Sequence, residues 1–197
     1  MFKQTSTSKE DWIMNYNRYT KEFEHRANGK PVRPVLKPEY EKYTKLNYSR
    51  SSRWEKKGEL MEEVKDVLQD LKKELDFILI TEPWCGDAAH SVPFIQMMVA
   101  ESSKIKMEIY LRDEYPELIE KYHTNGSRSI PKLVVRDHAT GEDLFIWGPR
   151  PVELEKIRLE LKDQMEYGEL SQILQKWYNQ DQGISIQQEL LEELKKL

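Results

Sequence analysis

The 197-residue sequence contains a single cysteine, Cys85. No internal disulfide can form, and a cysteine-rich zinc site is excluded. The four histidines, His25, His90, His123 and His138, are scattered without ligand spacing such as HExxH. No metal and no cofactor is therefore expected. No run of about 18 apolar residues occurs, so no membrane span is expected. The N-terminus, MFKQTSTSKEDW, has no apolar stretch of signal-peptide type, and the expected location is cytoplasmic. Internal repeats and low-complexity tracts are also missing.

What is present suits a globular chain. Apolar residues make up 38% and charged residues 34%, and ten tyrosines and five tryptophans can contribute to a core. The net charge of −4 is unevenly spread. Residues 1–58 carry fourteen Lys+Arg against seven Asp+Glu, whereas the remainder carries seventeen against twenty-eight. A basic part and an acidic part can neutralise each other within one fold. A nucleic-acid partner is not expected, because the basic part has no RNP-type motif and no clustered Lys/Arg stripe.

Hydrophobic spacing divides the chain. Residues 8–27 are expected to be helical, capped by Ser8, with Trp12, Tyr16, Tyr19 and Phe23 on one face. Residues 28–38, NGKPVRPVLKP, form a loop, and 39–57 return to helix. From residue 59 a regular order begins. Leu60, Val64, Val67, Leu68, Leu71 and Leu75 mark a helix face, and the unbroken run Phe77–Ile80 suits a strand buried on both faces. The loop TEPWCGD leads to a helix interrupted at Pro93. Ile105–Leu111 alternates as a strand, Pro116 opens a short helix, and 131–137 and 143–147 form a hairpin around Gly141. Helices follow near Val152, around Leu170–Trp177 and around Leu190–Leu197. The expected fold is α/β: a four-stranded mixed sheet flanked by helices, its two βα crossovers parallel and its hairpin at one edge. The chain divides into a helical extension (1–58), the sheet-bearing domain (59–166) and a C-terminal helical extension (167–197), read together as one unit.

Cys85 lies between a buried strand and the next helix. Unpaired backbone N–H groups and the positive end of the dipole favour a thiolate there. The polar, turn-rich surroundings, Glu82-Pro83-Trp84-Cys85-Gly86-Asp87-Ala88, suit an exposed loop rather than a core. Asp87 in the first helical turn stabilises the helix dipole and also disfavours a neighbouring thiolate. His90 reads as a surface residue. Arg128 and Arg150 are either solvated or forks for a ligand carboxylate.

Trp84-Cys85-Gly86 after an apolar strand resembles the WCxxC active-site loop of thioredoxins. Pro93 matches the proline of that family's active-site helix. Ser129-Ile130-Pro131-Lys132 resembles the segment that holds a cis proline, and Gly148 the glycine that lines the substrate groove. The likeness covers about residues 59–166. It implies a nucleophile at Cys85 within the loop Trp84, Gly86, Asp87 and Ala88. It further implies a groove in which Ile130 offers backbone to a substrate, Pro131 sets the shape and Gly148 lines the wall. The flanks resemble those of bacterial thioredoxin-like proteins with WCGD-type loops, where a helical extension precedes the domain and a helix such as that bearing Trp177-Tyr178 follows it. They are expected to cover the sheet or to pack a homo-oligomer.

The sequence departs from that pattern twice. Ala88 stands where the resolving cysteine would be, and Leu79 where a buried aspartate would assist proton transfer. A dithiol cycle is therefore excluded. The resemblance implies monothiol thiol–disulfide exchange, with a protein disulfide or a low-molecular-weight thiol as partner and an external thiol to resolve the intermediate. Such chemistry belongs to cell redox homeostasis. The alternatives are a groove that binds a peptide without exchange, and a thiol that senses peroxide.

Overall fold

The computed structural model describes residues 13–32 and 37–197. The expected cap Ser8 and the aromatic Trp12 lie outside the described residues. Helix α1 (Tyr16–Ala27) instead starts at Asn15, whose side chain accepts from the Arg18 N–H at 2.9 Å. Helix α2 (Pro38–Lys57) has proline in its first turn, acids at Glu39 and Glu41, and lysines at its end. Its buried residues are Thr44, Asn47, Ser51 and Trp54, a mostly polar face at helical spacing.

Helix α3 (Glu62–Gln69) leads into strand β1 (Leu75–Thr81). Helix α4 (Gly86–Ala100) follows and runs on through Pro93 without the expected interruption. Strand β2 (Ile105–Leu111) pairs parallel to β1, with Phe77 opposite Met107. A single turn of helix, α5 (Pro116–Ile119), and a 3-10 turn (Glu120–Tyr122) precede β3 (Lys132–Asp137). β3 runs antiparallel to β1, with Phe77 opposite Val135, so only the first of the two expected parallel crossovers is parallel. The second connection is too short in helix to carry the chain back across the sheet, and it enters β3 from the end where β1 and β2 finish. β4 (Asp143–Trp147) completes the sheet as an antiparallel edge, in the order β2-β1-β3-β4. The other edge is extended by Met14, which exchanges backbone bonds with Ile109 at 3.0 and 2.7 Å.

Helices α6 (Val152–Leu161), α7 (Tyr167–Asp181) and α8 (Ile184–Leu194) close the chain. One core joins the sheet residues Phe77, Leu79, Ile80 and Val134 to Tyr19, Phe23 and Trp54 from the N-terminal part. Leu190, Leu191 and Leu194 enter the same core from the C-terminal part. Full burial of each such side chain contributes roughly 1.5–3 kcal/mol. The turn into α8 is tight: Gly183 has φ +79°, and a Cβ there would lie 2.2 Å from the Phe94 ring. No described helix is long and apolar enough to cross a membrane.

Candidate functional site

Because β1 and β2 are parallel, the residues that follow them meet at one edge of the sheet. The loop from Glu82 to Cys85 leaves β1 there, and Arg112-Asp113 leaves β2 beside it. Cys85 is the N-cap residue of α4, and its Sγ donates to the Ile130 carbonyl at 3.3 Å. The Ile130–Pro131 and Gly148–Pro149 peptides are cis. Gly148 has φ +104°, and a Cβ on it would stand 2.3 Å from the Pro131 carbonyl oxygen. Trp84, Cys85, Gly86, Asp87, Ile130, Pro131 and Gly148 are thus brought together around the N-terminus of α4, with Ala88 in its first turn.

The surroundings differ from the exposed loop expected. Cys85 is only 8% exposed and Ile130 5%. Burial, reinforced by the Asp87 carboxylate, pushes the Cys85 thiol up to about 12. Backbone N–H groups of Asp87 and Ala88 favour the thiolate, as a helix N-terminus should, but the loss of solvent outweighs them. The flanks pack on the residues either side of Cys85. From α2, Asn47 Nδ2 reaches the Pro83 carbonyl at 3.4 Å, and Tyr40 stacks on Trp84 with ring centroids 4.3 Å apart. From α7, Tyr178 donates to Asp87 Oδ1 at 2.8 Å.

Asp87 is held from both sides. Its other oxygen accepts from Arg150 Nη2 at 2.6 Å, and Arg150 also pairs with Glu155, which Arg158 grips at 2.8 and 2.9 Å. Arg150 is therefore neither solvated nor a fork awaiting a ligand; it is an internal counter-ion. Arg128 pairs with Glu120 at the surface.

His90 is buried, 2% exposed, and not on the surface as expected. Trp54 Nε1–H donates to its Nδ1 at 2.8 Å, and an indole nitrogen can only donate. The imidazole is therefore neutral with its proton on Nε2, which donates to Gln175 Oε1 at 2.7 Å. The ring lies flat on Tyr178, centroids 4.4 Å apart. Burial lowers its pKa to about 4.

Two buried ionisable groups escaped the sequence reading. Glu82, 2% exposed, accepts from the Asp113 N–H at 2.9 Å, and burial raises its pKa to about 7. Its position just past an unbroken apolar strand was the available signal. Lys132 is buried behind Pro131, where Nζ donates to the Gly148 carbonyl at 2.8 Å and to Thr124. Desolvation brings its pKa down to about 8. Arg112 was also missed. Its guanidinium stands 4.7 Å from the Trp84 ring, and its place at the end of a strand parallel to β1 could have located it. Among the described residues no cluster of three His, Cys, Asp or Glu could hold a metal ion.

Comparison with known proteins agrees with this architecture. A protein of unknown function from Pseudomonas aeruginosa superposes with a TM-score of 0.63 at 12% identity, covering 98% of this chain and 99% of that chain. An HIV epitope scaffold superposes with a TM-score of 0.56 at 13% identity, covering 93% of this chain and 99% of that one. At such identities these likenesses concern the fold alone. No curated protein matches the chain. A family model described as thioredoxin matches residues 35–182, which include α2, the Cys85 loop, the whole sheet and α7. The mixed sheet, the cysteine capping α4 and that match agree: the chain belongs to the thioredoxin family.

Proposed function

We propose that the protein carries out monothiol thiol–disulfide exchange at Cys85, with an external thiol completing each turnover. The observation that carries this reading is the Cys85 Sγ on the Ile130 carbonyl, 3.3 Å away, at the N-terminus of α4. In the first step the Cys85 thiol loses its proton and its sulfur attacks a disulfide RS–SR′. The Cys85–S–S–R bond forms, the RS–SR′ bond breaks, and R′S⁻ leaves and takes up a proton. In the second step an external thiol R″SH attacks the mixed disulfide. Cys85 is regenerated as the thiol and RS–SR″ departs. One disulfide is consumed and one formed, so no other oxidant or reductant is needed.

The resting thiol is protonated, so the reaction at neutral pH is slow and governed by the thiolate fraction. The rate should climb about tenfold per pH unit well beyond pH 8.5, where an ordinary thiol levels off. Asp87→Asn removes the repelling carboxylate and leaves Arg150 beside the sulfur, and the alkylation midpoint of Cys85 should move down from about 12. Iodoacetamide kinetics across pH, with mass spectrometry of Cys85 adducts after exposure to disulfides, test both statements. Absence of any Cys85 adduct under exchange conditions would sink the catalytic reading.

One observation favours a second reading. A thiol held protonated by burial suits a groove that binds without exchange. Partner binding retained in Cys85→Ser, together with no adduct on the wild type, would select it. Peroxide sensing would need the same thiolate as exchange, and no separate observation favours it.

A further inference from the structure

The two sides of the Cys85 loop are unequally finished. On the Trp84 side lies a cavity of about 380 Å³ lined by Lys37, Tyr40, Arg112, Asp113, Pro116 and Arg128. Its size is at the small end of ligand sites. Three cations line it against one carboxylate, Asp113, which Arg112 already holds through Nε and Nη2 at 2.9 and 2.8 Å. Glu120, beside it, pairs with Arg128. Lys37 has no carboxylate partner among the described residues. Its ammonium stands 5.9 Å from the Tyr40 ring centroid.

Two sets of contacts link the cavity lining to the neighbours of Cys85. Tyr40 and Arg112 cover the Trp84 ring at 4.3 and 4.7 Å, and Trp84 precedes Cys85. Arg112 Nη1 also donates to the Arg128 carbonyl at 3.4 Å, two residues before the Ile130 that holds the thiol. Trp84 Nε1 is buried and finds no hydrogen-bond partner among the described residues. A buried donor without an acceptor is costly. Meanwhile α2 and α7 cover the loop, and Ile130 is too enclosed for an extended polypeptide to pair with it unless they move.

We propose that this cavity binds the carboxylates of a small anionic thiol or its disulfide, through Lys37, Arg112 and Arg128, with the sulfur directed to Cys85. The proposal rests on the exchange reading and narrows its partner from proteins to small acidic thiol compounds. The covalent step is the exchange written above, with R carrying the carboxylates.

Two measurements on the full chain separate the site from the chemistry. In the first, S-methylglutathione, which has two carboxylates and no thiol, is titrated by calorimetry at low salt. Saturable binding is expected, weakened about tenfold by the double variant Lys37→Gln/Arg128→Gln and also by 0.5 M KCl. Lys195→Gln, on the distant α8 end, should leave it unchanged. No saturable binding, or binding indifferent to the double variant, overturns the anion site whatever Cys85 does. In the second, mixed-disulfide formation on Cys85 is timed with glutathione disulfide and with neutral bis(2-hydroxyethyl) disulfide. A rate ratio favouring the anionic disulfide, and falling about tenfold in the double variant, supports the proposal. Equal rates with both disulfides overturn it and leave exchange standing. No adduct with either overturns exchange and the thiol character of the ligand, while the calorimetry decides the anion site by itself.

Discussion

The two sides of Cys85 differ in how their charges are paired. Toward α6 and α7, Asp87 accepts from Arg150 and Tyr178, Arg150 also pairs with Glu155, and Arg158 completes the chain of charges. Beneath them His90 uses both ring nitrogens. Toward α2 and the end of β2, cations outnumber carboxylates around a cavity, and the Trp84 indole N–H has no described partner. A buried network of paired charges fixes the orientation of α4. An excess of cations around a cavity leaves room for an anionic ligand. The same four-residue loop thus has a structural side and a receptive side.

Removing Arg150 is the strongest test of the structural side. Arg150→Met leaves Asp87 and Glu155 facing each other inside the protein without their common counter-ion. A loss of about 3–5 kcal/mol in unfolding free energy is expected, measured by urea denaturation. Lys37→Met on the receptive side should change it by less than about 0.5 kcal/mol. Similar losses from both variants would erase the distinction.

A smaller effect separates the sides by pH. His90, on the structural side, has a folded pKa of about 4 against 6.5 when free. The unfolded chain binds the extra proton between these values. This contribution is therefore full above pH 6.5 and is lost as pH falls toward 4. Glu82, on the receptive side, has a folded pKa of about 7 against 4.5. Here the native state binds the extra proton, so the contribution is full below pH 4.5 and is lost as pH rises through 7. Between pH 4.5 and 6.5 the two slopes oppose each other. Relative to wild type, Glu82→Gln should make stability rise with pH, and His90→Asn should make it fall, each by at most about 1.4 kcal/mol per pH unit. Urea unfolding across that window would show it. Slopes of the same sign in both variants would mean that at least one of these groups is not buried in the state described.

The contrast also explains what could be read from the sequence. Phe77–Ile80 announced a central strand because four successive apolar residues need burial on both faces. Cys85 stood out by its place between a strand and a helix, whereas Pro131 and Gly148 were named through the resemblance to the family's loops. The burial of Cys85 was not legible, because Asn47 and Tyr178 come to the loop from 36 and 91 residues away. Local polarity suggested exposure, and distant helices removed it. His90 misled for the same reason: it is polar in sequence, but Trp54 and Gln175 satisfy it from two other helices. The face of α2 that covers the site escaped notice because Thr44, Asn47 and Ser51 are not apolar. Arg150 could be suspected of binding a carboxylate, and it does. The carboxylates are the protein's own, at Asp87 and Glu155, and spacing could not tell an internal partner from an external one.

The smallest predicted effect falls on the rim of the receptive side. Glu120 and Arg128 pair across the surface with side chains 43% and 54% exposed. Such a pair adds about 0–1 kcal/mol to stability, since solvent screens it and both side chains lose freedom. Glu120→Gln should therefore leave unfolding almost unchanged. Its effect on an anion should be larger than its effect on the fold. The carboxylate of Glu120 competes with a ligand carboxylate for the same guanidinium, and its charge lowers the positive potential of the cavity. Glu120 also pairs with His123 at 3.1 Å, so the substitution frees a second group that becomes cationic when protonated. S-methylglutathione should accordingly bind about two- to fivefold more tightly to Glu120→Gln, with the gain shrinking in high salt. Weaker binding in this variant would mean that Glu120 holds Arg128 in place for the ligand. The receptive side would then be ordered by its own carboxylate, as the structural side is by Asp87 and Glu155, and the difference between the two would lie in exposure alone.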